Sequence, residues 1–209
     1  MGYTVLDFET TGLDYLTEQV IEIGAIKLDN NFNEIGRLHT MVTLTEGRKL
    51  KPFITNLTGI TEADLIGGVS EVVGLSILKD FIGDSIVVAQ HAPFVLSFLA
   101  KAFEPERFID TRSLSRIVEP DKKAGLKDLC ERYDVELVHH RSISDVEATI
   151  EVLKHLLKEI GELGLPYINM VVKAPDRDLT FIPLSAVVLD LDKVKEYREE
   201  LQDIENDDR

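Results

Sequence analysis

The order of apolar and polar positions predicts an α/β domain in the first 160 residues. Tyr3–Phe8 is a short apolar run ending in acidic residues, and Val20–Leu28 has few polar interruptions, which is typical of a central strand. Turn-forming residues at 29–33 predict a hairpin that leads into a third strand, Leu38–Leu44. Further strands are predicted at Ser85–Ala89 and Phe108–Thr111, and helices at Thr61–Leu65, Glu71–Gly83, Phe94–Phe103, Ser113–Val118, Gly125–Tyr133 and Ser144–Ile160. Three strands followed by alternating helices and strands indicate a mixed sheet.

A change of pattern after residue 160 indicates a second, smaller unit. Gly161 and the segment 164–166 interrupt the last amphipathic helix, so we place a domain boundary there. Residues 167–209 are predicted to form an appendage with strands at Tyr167–Val172 and Leu179–Leu191 and an acidic helix from Lys193. The acidic helix is interpreted either as a solvated end of the chain or as a segment that docks a partner.

The composition indicates a folded protein outside the membrane. The chain has 209 residues, of which 44% are hydrophobic and 29% charged, too apolar a mixture for a disordered chain. It has no uninterrupted apolar stretch near the roughly 18 residues of a membrane span. Asp7 and Glu9 lie where a signal peptide would be apolar, and the single cysteine, Cys130, can form no internal disulfide. The cytoplasm is therefore the expected compartment.

The net charge restricts how nucleic acid could bind. The 23 Lys and Arg against 38 Asp and Glu give a formal charge of −15, which repels phosphate. Any nucleic-acid function therefore needs a local feature such as bound cations or a small basic patch.

The first candidate site is the segment Leu6–Gly12. Residues i and i+2 of a strand point to one face, so Asp7 and Glu9 are expected to project together at the end of the first strand. Two adjacent carboxylates repel each other unless a cation lies between them, and hard cations such as Mg²⁺ prefer oxygen ligands. The pair is half of a metal site, or else a solvated strand end.

The second candidate site is the segment His140–Asp145. Ser144 resembles a helix N-cap, which would place Asp145 in the first turn, where an acid can simply compensate the helix dipole. A histidine on the approach to that helix could instead accept a proton from water. Spacing alone does not tell whether His139 or His140 would do so.

Five short motifs occur in an order that identifies a family. They are Asp7-x-Glu9-Thr10-Thr11-Gly12, Leu57-Thr58-Gly59-Ile60-Thr61, Ile109-Asp110-Thr111, Leu126-Lys127-Asp128-Leu129-Cys130 and His140-x4-Asp145. Together they resemble the DEDDh exonucleases of the DnaQ-like superfamily. This family includes the proofreading epsilon subunit of bacterial DNA polymerase III and the exonuclease domain of the Gram-positive type C polymerase. The resemblance covers about residues 3–160.

The resemblance implies an RNase H-like fold, with a mixed five-stranded sheet flanked by helices, and removal of nucleotides from 3′ ends with two divalent cations. By position, Asp7, Glu9 and Asp145 match metal ligands, and His140 matches the general base. The residues at positions where relatives bind the terminal nucleotide are Thr10, Thr11, Gly12, Leu13, Leu57 and Thr58.

One segment departs from the family pattern. Relatives carry a fourth carboxylate in His-Asn-x-x-Phe-Asp, whereas this chain has Gln90 and His91 in place of His-Asn and Val95 in place of the aspartate. Valine cannot bind a cation, so one well-bound Mg²⁺ or Mn²⁺ is expected before substrate arrives. His91 could supply a nitrogen ligand instead, favouring Mn²⁺ or Zn²⁺, or it could simply form hydrogen bonds in the cleft wall.

Three interpretations of Val95 remain open at the level of sequence. The domain is a weakened but active 3′–5′ exonuclease on single-stranded or frayed DNA, a silent module that binds nucleic acid or a replication or repair protein, or a variant altered to trap substrate. Retention of Asp7, Glu9, His140 and Asp145 favours the first. The expected partners are a nucleic acid 3′ end, DNA rather than RNA, and a polymerase or repair subunit.

Overall fold

The structure is a computed structural model that describes residues 2–137 and 141–207, with side chains described as far as Glu199. The strands are β1 (Tyr3–Thr10), β2 (Val20–Leu28), β3 (Glu34–Met41), β4 (Ile86–Ala89), β5 (Phe108–Asp110), β6 (Met170–Lys173) and β7 (Val187–Asp190). The helices are α1 (Pro52–Thr58), α2 (Glu71–Ile82), α3 (Ala92–Leu99), α4 (Thr111–Val118), α5 (Leu126–Tyr133), α6 (Ser142–Leu163) and α7 (Leu191–Asp207). Across the described ranges, no helix is long and apolar enough to cross a membrane.

The main sheet has five strands in the order β3-β2-β1-β4-β5, which confirms the predicted mixed sheet. β1 pairs antiparallel with β2, and β2 pairs antiparallel with β3 through the predicted hairpin. β1 and β4 are parallel, as are β4 and β5. The carboxyl ends of β1, β4 and β5 therefore meet at one edge, where ligands bind in open α/β sheets.

Alternation along β1 divides the protein core into two layers. Val5 lies in a hydrophobic cluster with Val146 and Leu153 of α6. The next residue, Leu6, lies in the opposite cluster with Leu75 of α2. Because side chains of a strand alternate between faces, Asp7 and Glu9 project to the same face as Val5, which is the face that α6 covers.

The residues after α6 pack against both layers. Met170 and Val194 belong to the cluster on the α6 face, and Val171 to the opposite one. β6 and β7 form a separate two-stranded parallel sheet. The division into domains 1–160 and 167–209 stays a prediction, although α6 continues past residue 160 to Leu163 before Gly164 ends it in a left-handed conformation.

Several predicted elements are wrong in detail. Residues 62–67 form turns instead of the helix predicted at Thr61–Leu65. The Asp64 carboxylate accepts hydrogen bonds from the backbone N–H and the hydroxyl of Thr61, as at a helix start, but Gly67 with φ of 82° ends the segment after little more than one turn. Helix α1 was not predicted, and the long strand predicted at 179–191 is limited to β7. α6 begins at Ser142, so Ser144 is not its N-cap, although Asp145 still lies in the first turn.

Candidate metal centre

Three carboxylates from distant parts of the chain converge at the carboxyl end of β1. One carboxylate oxygen each from Asp7, Glu9 and Asp145 can be chosen so that all three lie within 4.8 Å of one another. All three residues are partly buried. Among the residues that the structure describes, this is the only group of three or more potential metal ligands.

A close approach between α6 and the sheet brings Asp145 to this cluster. α6 crosses β2 at Gly24, where a Cβ atom would lie 2.7 Å from the backbone carbon of Ser142 and 2.7 Å from its hydroxyl oxygen. Only glycine therefore fits at this position without a shift of the helix. Asp145 lies one turn further along α6, and its backbone N–H donates to the carbonyl of Arg141 at 3.0 Å.

Burial and mutual repulsion raise the pKa values of the three clustered carboxyl groups and so disfavour their fully ionised state. Desolvation, followed by the charges of Glu9 and Asp145, raises the pKa of Asp7 well above its ordinary value. Desolvation and the charge of Asp145 raise the pKa of Glu9 to about 8, and desolvation with the charge of Glu22 raises that of Asp145 to about 6. Such a cluster is stabilised by protons or by a cation that offsets the charge.

A fourth acid, Glu22, lies behind the cluster and is fully buried. Its Oε1 accepts hydrogen bonds from Nε and Nη2 of Arg141 at 2.9 and 2.7 Å, and Nε2 of His39 is 2.8 Å away. Its Oε2 accepts from the backbone N–H of Ser142 at 2.9 Å. Burial alone would raise the pKa of Glu22, but these hydrogen bonds hold it below its ordinary value. Glu22 is thus an ionised carboxylate whose two oxygens are both engaged in hydrogen bonds. It was not among the candidate residues predicted from the sequence.

The predicted general base is not part of the described structure. His139 and His140 lie outside the described residues, which resume at Arg141. Arg141 is the N-cap residue of α6. The position of Arg141 beside Glu22 fixes where the chain enters the helix that carries Asp145.

The turn after β1 is closed by its own hydrogen bonds. The Thr10 hydroxyl donates to the carbonyl of Gly12 at 2.7 Å, and the Thr11 hydroxyl donates to Glu18 Oε2 at 2.6 Å. A Cβ on Gly12 would lie 2.8 Å from the Glu18 carboxyl group. Leu13 follows with 73% of its surface exposed. The hydroxyls of this turn therefore shape the loop, while Leu13 is free to contact a ligand.

In the second predicted substrate-binding segment, Leu57 and Thr58, one residue is again exposed and the other has a structural role. The Thr58 hydroxyl donates to the carbonyl of Ile54 and accepts from the N–H of Ile60, and Thr58 is buried. Leu57 is 41% exposed and Phe53 on the same helix is 69% exposed. Of the predicted pair, Leu57 presents an apolar side chain to solvent and Thr58 stabilises the end of α1.

The segment that departs from the family pattern is built into the core. Val95 is fully buried in the cluster that contains Leu6 and Phe8. Gln90 donates to the carbonyl of Ala124 at 2.8 Å and accepts from the Thr111 hydroxyl. Val95 therefore packs on the face of the sheet opposite to Asp7 and Glu9.

His91 is not one of the clustered ligands. It is the N-cap residue of α3 with φ of 61°, a left-handed conformation that asparagine and histidine adopt more readily than most residues. Desolvation and the charges of Arg177 and Arg112 lower its pKa to about 3. Nearby arginines disfavour a cation, so the structure gives no support to His91 as a substitute ligand.

Asp110 has a structural role. It is buried, accepts hydrogen bonds from the backbone N–H of Ala92 at 3.0 Å and from the Ser113 hydroxyl at 2.5 Å, and so connects β5 to the starts of α3 and α4.

Comparison with known proteins identifies the family. The model of the exonuclease family RNase_T matches residues 4–153, a range that includes all three clustered carboxylates. The chain belongs to this exonuclease family. It is 37% identical over 183 residues to "DNA polymerase III PolC-type" of Bacillus subtilis (strain 168), covering 79% of this chain. It is 34% identical over 185 residues to the Staphylococcus aureus protein of the same name, covering 82% of this chain. The alignments span only 12% of the length of either polymerase.

Solved structures of exonucleases share the fold. Exonuclease I of E. coli, in complex with a dT13 oligonucleotide, matches with a TM-score of 0.67 at 16% identity, covering 78% of this chain and 42% of that one. The nuclease domain of 3′hExo, a DEDDh family member bound to rAMP, matches with a TM-score of 0.66 at 14% identity, covering 76% of this chain and 92% of that one. The predicted RNase H-like fold and the family resemblance are therefore confirmed.

Proposed function

We propose that this protein is a metal-dependent 3′–5′ exonuclease that removes nucleotides from the 3′ ends of single-stranded or frayed DNA. The convergence of Asp7, Glu9 and Asp145 is the observation that carries the proposal. Three converging carboxylate oxygens are a set of ligands suited to Mg²⁺ or Mn²⁺. The raised pKa of Glu9 is consistent with a site whose negative charge a bound cation would offset. A cation bound there would supply an acidified water and stabilise the charge on a leaving oxygen.

The remaining roles follow from the family motif and from exposure. His140 would accept the proton of the attacking water. Leu13 and Leu57, both exposed, would contact the terminal base, while Thr10, Thr11, Gly12 and Thr58 would shape the pocket around it. Cations at the carboxylates would also offset the repulsion between DNA phosphates and a protein of net charge −15.

The names of the relatives support DNA as the substrate and a DNA polymerase as the protein partner. The curated relatives are DNA polymerases, and one of the solved structures with this fold holds a DNA oligonucleotide. We propose that the domain acts in the cytoplasm on the DNA 3′ end of a replication or repair complex, with a polymerase subunit as partner.

The buried Val95 favours a second candidate function. An aspartate at the corresponding family position would contribute a fourth carboxylate, whereas Val95 packs in the core and contributes none. A module that binds a 3′ end or a replication protein without cutting would tolerate that loss.

A cleavage assay separates the two functions. A 5′-labelled single-stranded DNA is incubated with Mg²⁺ or Mn²⁺ and with the wild-type protein, Glu9→Ala or Val95→Asp. We expect the wild-type protein to give a ladder shortened from the 3′ end, and Glu9→Ala to lower the rate by about 10²-fold or more, because a metal ligand is lost. An RNA strand of the same sequence tests the preference for DNA.

Other outcomes contradict the enzyme proposal. Cleavage only by Val95→Asp would favour the silent module, provided that thermal unfolding shows this variant to be folded. If neither protein cuts but the wild-type protein binds the labelled strand, the exonuclease proposal is wrong and the binding function stands.

A further inference from the structure

Glu22 is a buried carboxylate whose hydrogen bonds all lead to the metal-site helix or to the next strand. Its side chain has no exposed surface, and its two oxygens face Arg141, His39 and the N–H of Ser142. A buried ionised acid is costly unless it is fully paired, and this one is. Such an arrangement fixes the geometry of whatever it connects.

The connection made by Glu22 leads directly to two of the three clustered carboxylates. Glu22 is the cross-strand partner of Glu9 in the β1–β2 ladder. The guanidinium of Arg141 donates to the Glu22 carboxylate. The backbone carbonyl of Arg141 accepts a hydrogen bond from the backbone N–H of Asp145. Arg141 also begins the segment that follows His140.

We propose that Glu22 and Arg141 form a positioning pair that sets the distance between Asp145 and the carboxylates of β1, and so determines the affinity of the metal site. This inference rests on the proposed metal-dependent function. Groups that orient metal ligands without touching the metal typically contribute about 10–100-fold to metal affinity. Glu22 lies outside the motifs that identify the family, and Arg141 occupies an unspecified position of the motif His140-x4-Asp145.

A purely electrostatic effect of Arg141 would have the opposite sign. The guanidinium lies close enough to Glu9 to favour its ionised form, so it also repels a cation at that site. If only charge mattered, Arg141→Met would bind a divalent cation more tightly. If Arg141 positions Asp145, the same variant binds the cation more weakly.

Calorimetric titration of Mn²⁺ into the metal-free 209-residue chain tests whether loss of Arg141 weakens or strengthens cation binding. We expect Arg141→Met to raise the Kd for Mn²⁺ by about 10–100-fold. Arg141→Lys keeps the charge but not the two-nitrogen contact with Glu22, so it should also weaken binding. Arg37→Met is the matched control, because Arg37 forms an ion pair with Glu147 of the same helix but contacts none of the clustered acids. Its Kd should stay within about twofold of the wild-type value.

A double variant guards against loss of folding. Arg141→Met leaves Glu22 buried without its partner, which can destabilise the protein. Glu22→Gln combined with Arg141→Met removes one charge of each sign, so the local net charge is unchanged while the pairing is lost. A Kd raised about tenfold or more in this folded double variant supports positioning.

Two results overturn the proposal. An unchanged or lower Kd in Arg141→Met, or in the double variant if the single one does not fold, shows that the pair does not position the site. A wild-type protein that binds no Mn²⁺ contradicts the proposed function itself, and this inference with it.

Discussion

At the scale of single residues, the spacing of Asp7 and Glu9 was enough to predict that these two of the three clustered carboxylates lie together. The same spacing argument did not find Glu22, which lies beside them. Asp7 and Glu9 share a face because a strand repeats every two residues. Asp145 was a candidate from its place near a helix start, but only the family motif favoured a metal ligand over an acid that compensates the helix dipole, since a carboxylate in the first turn of a helix is common. Glu22 carried a signal that was not used: it is an acid between two isoleucines in a strand whose only other charged residue is Lys27, and such a residue needs partners from elsewhere in the fold.

The raised carboxylate pKa values predict how stability depends on pH. A carboxyl whose pKa is higher in the folded protein stabilises the fold at low pH, and this contribution is lost as pH rises through the folded pKa. Asp145, with a pKa of about 6, and Glu9, at about 8, place the loss between about pH 5 and 8. We expect the melting temperature of the metal-free protein to fall across this range.

A glutamine variant isolates the contribution of the cluster. Glu9→Gln cannot ionise, so its melting temperature should fall less than that of the wild-type protein between pH 5.5 and 8.5. Mn²⁺ should raise the melting temperature of the wild-type protein at pH 8.5 by binding the folded state. Parallel pH profiles of the two proteins would contradict the assignment.

At the scale of elements, the ends of α6 and α1 depend on contacts that no local pattern contains. Ser144 has the chemistry of an N-cap, but α6 starts two residues earlier because Glu22, 120 residues away, accepts the N–H of Ser142. α1 is only seven residues long and exposes Phe53 and Leu57, so its periodicity is too weak to predict a helix. Long amphipathic elements were predicted correctly because burial of one face leaves a repeated pattern.

The contact between β2 and α6 gives a prediction at this scale. Gly24→Ala would place a Cβ against the backbone of Ser142, so α6 must shift. We expect a loss of about 1–3 kcal/mol in the free energy of unfolding, which for a chain of this size lowers the melting temperature by roughly 2–4 °C per kcal/mol.

Gly161→Ala is the matched control on the same helix. A Cβ at Gly161 has no neighbour within 4 Å, and alanine favours a helix over glycine by about 0.5–1 kcal/mol, so this variant should be slightly more stable than the wild-type protein. If Gly24→Ala melts at the wild-type temperature, the close approach does not constrain the helix.

At the scale of the whole molecule, the class of fold was predictable but the attachment of the C-terminal segment was not. The neighbouring of β1, β2 and β3 follows from strand patterns and short connections. The glycines at 161 and 164 indicated a boundary, yet the residues beyond it reach back into both layers of the core. Asn169 accepts from the N–H of Phe108 and donates to the carbonyl of Glu106, and Asp176 pairs with Arg112 and Arg116. Such contacts join residues 60 or more positions apart, which local sequence does not record.

These contacts predict that residues 167–209 unfold together with the sheet. Met170, Val171 and Val194 are buried in clusters that also contain strand and helix residues of the first 160 positions, so separating the two parts exposes apolar surface on both. Differential scanning calorimetry of the full chain should show one transition, with calorimetric and van't Hoff enthalpies in agreement. A chain ending at residue 166 should melt at a lower temperature, whereas one ending at residue 199 keeps these contacts and should not. Two separate transitions in the full chain, with the upper one unchanged after removal of 167–209, would show instead that the segment is an independent appendage, and the boundary predicted from the glycines would then hold.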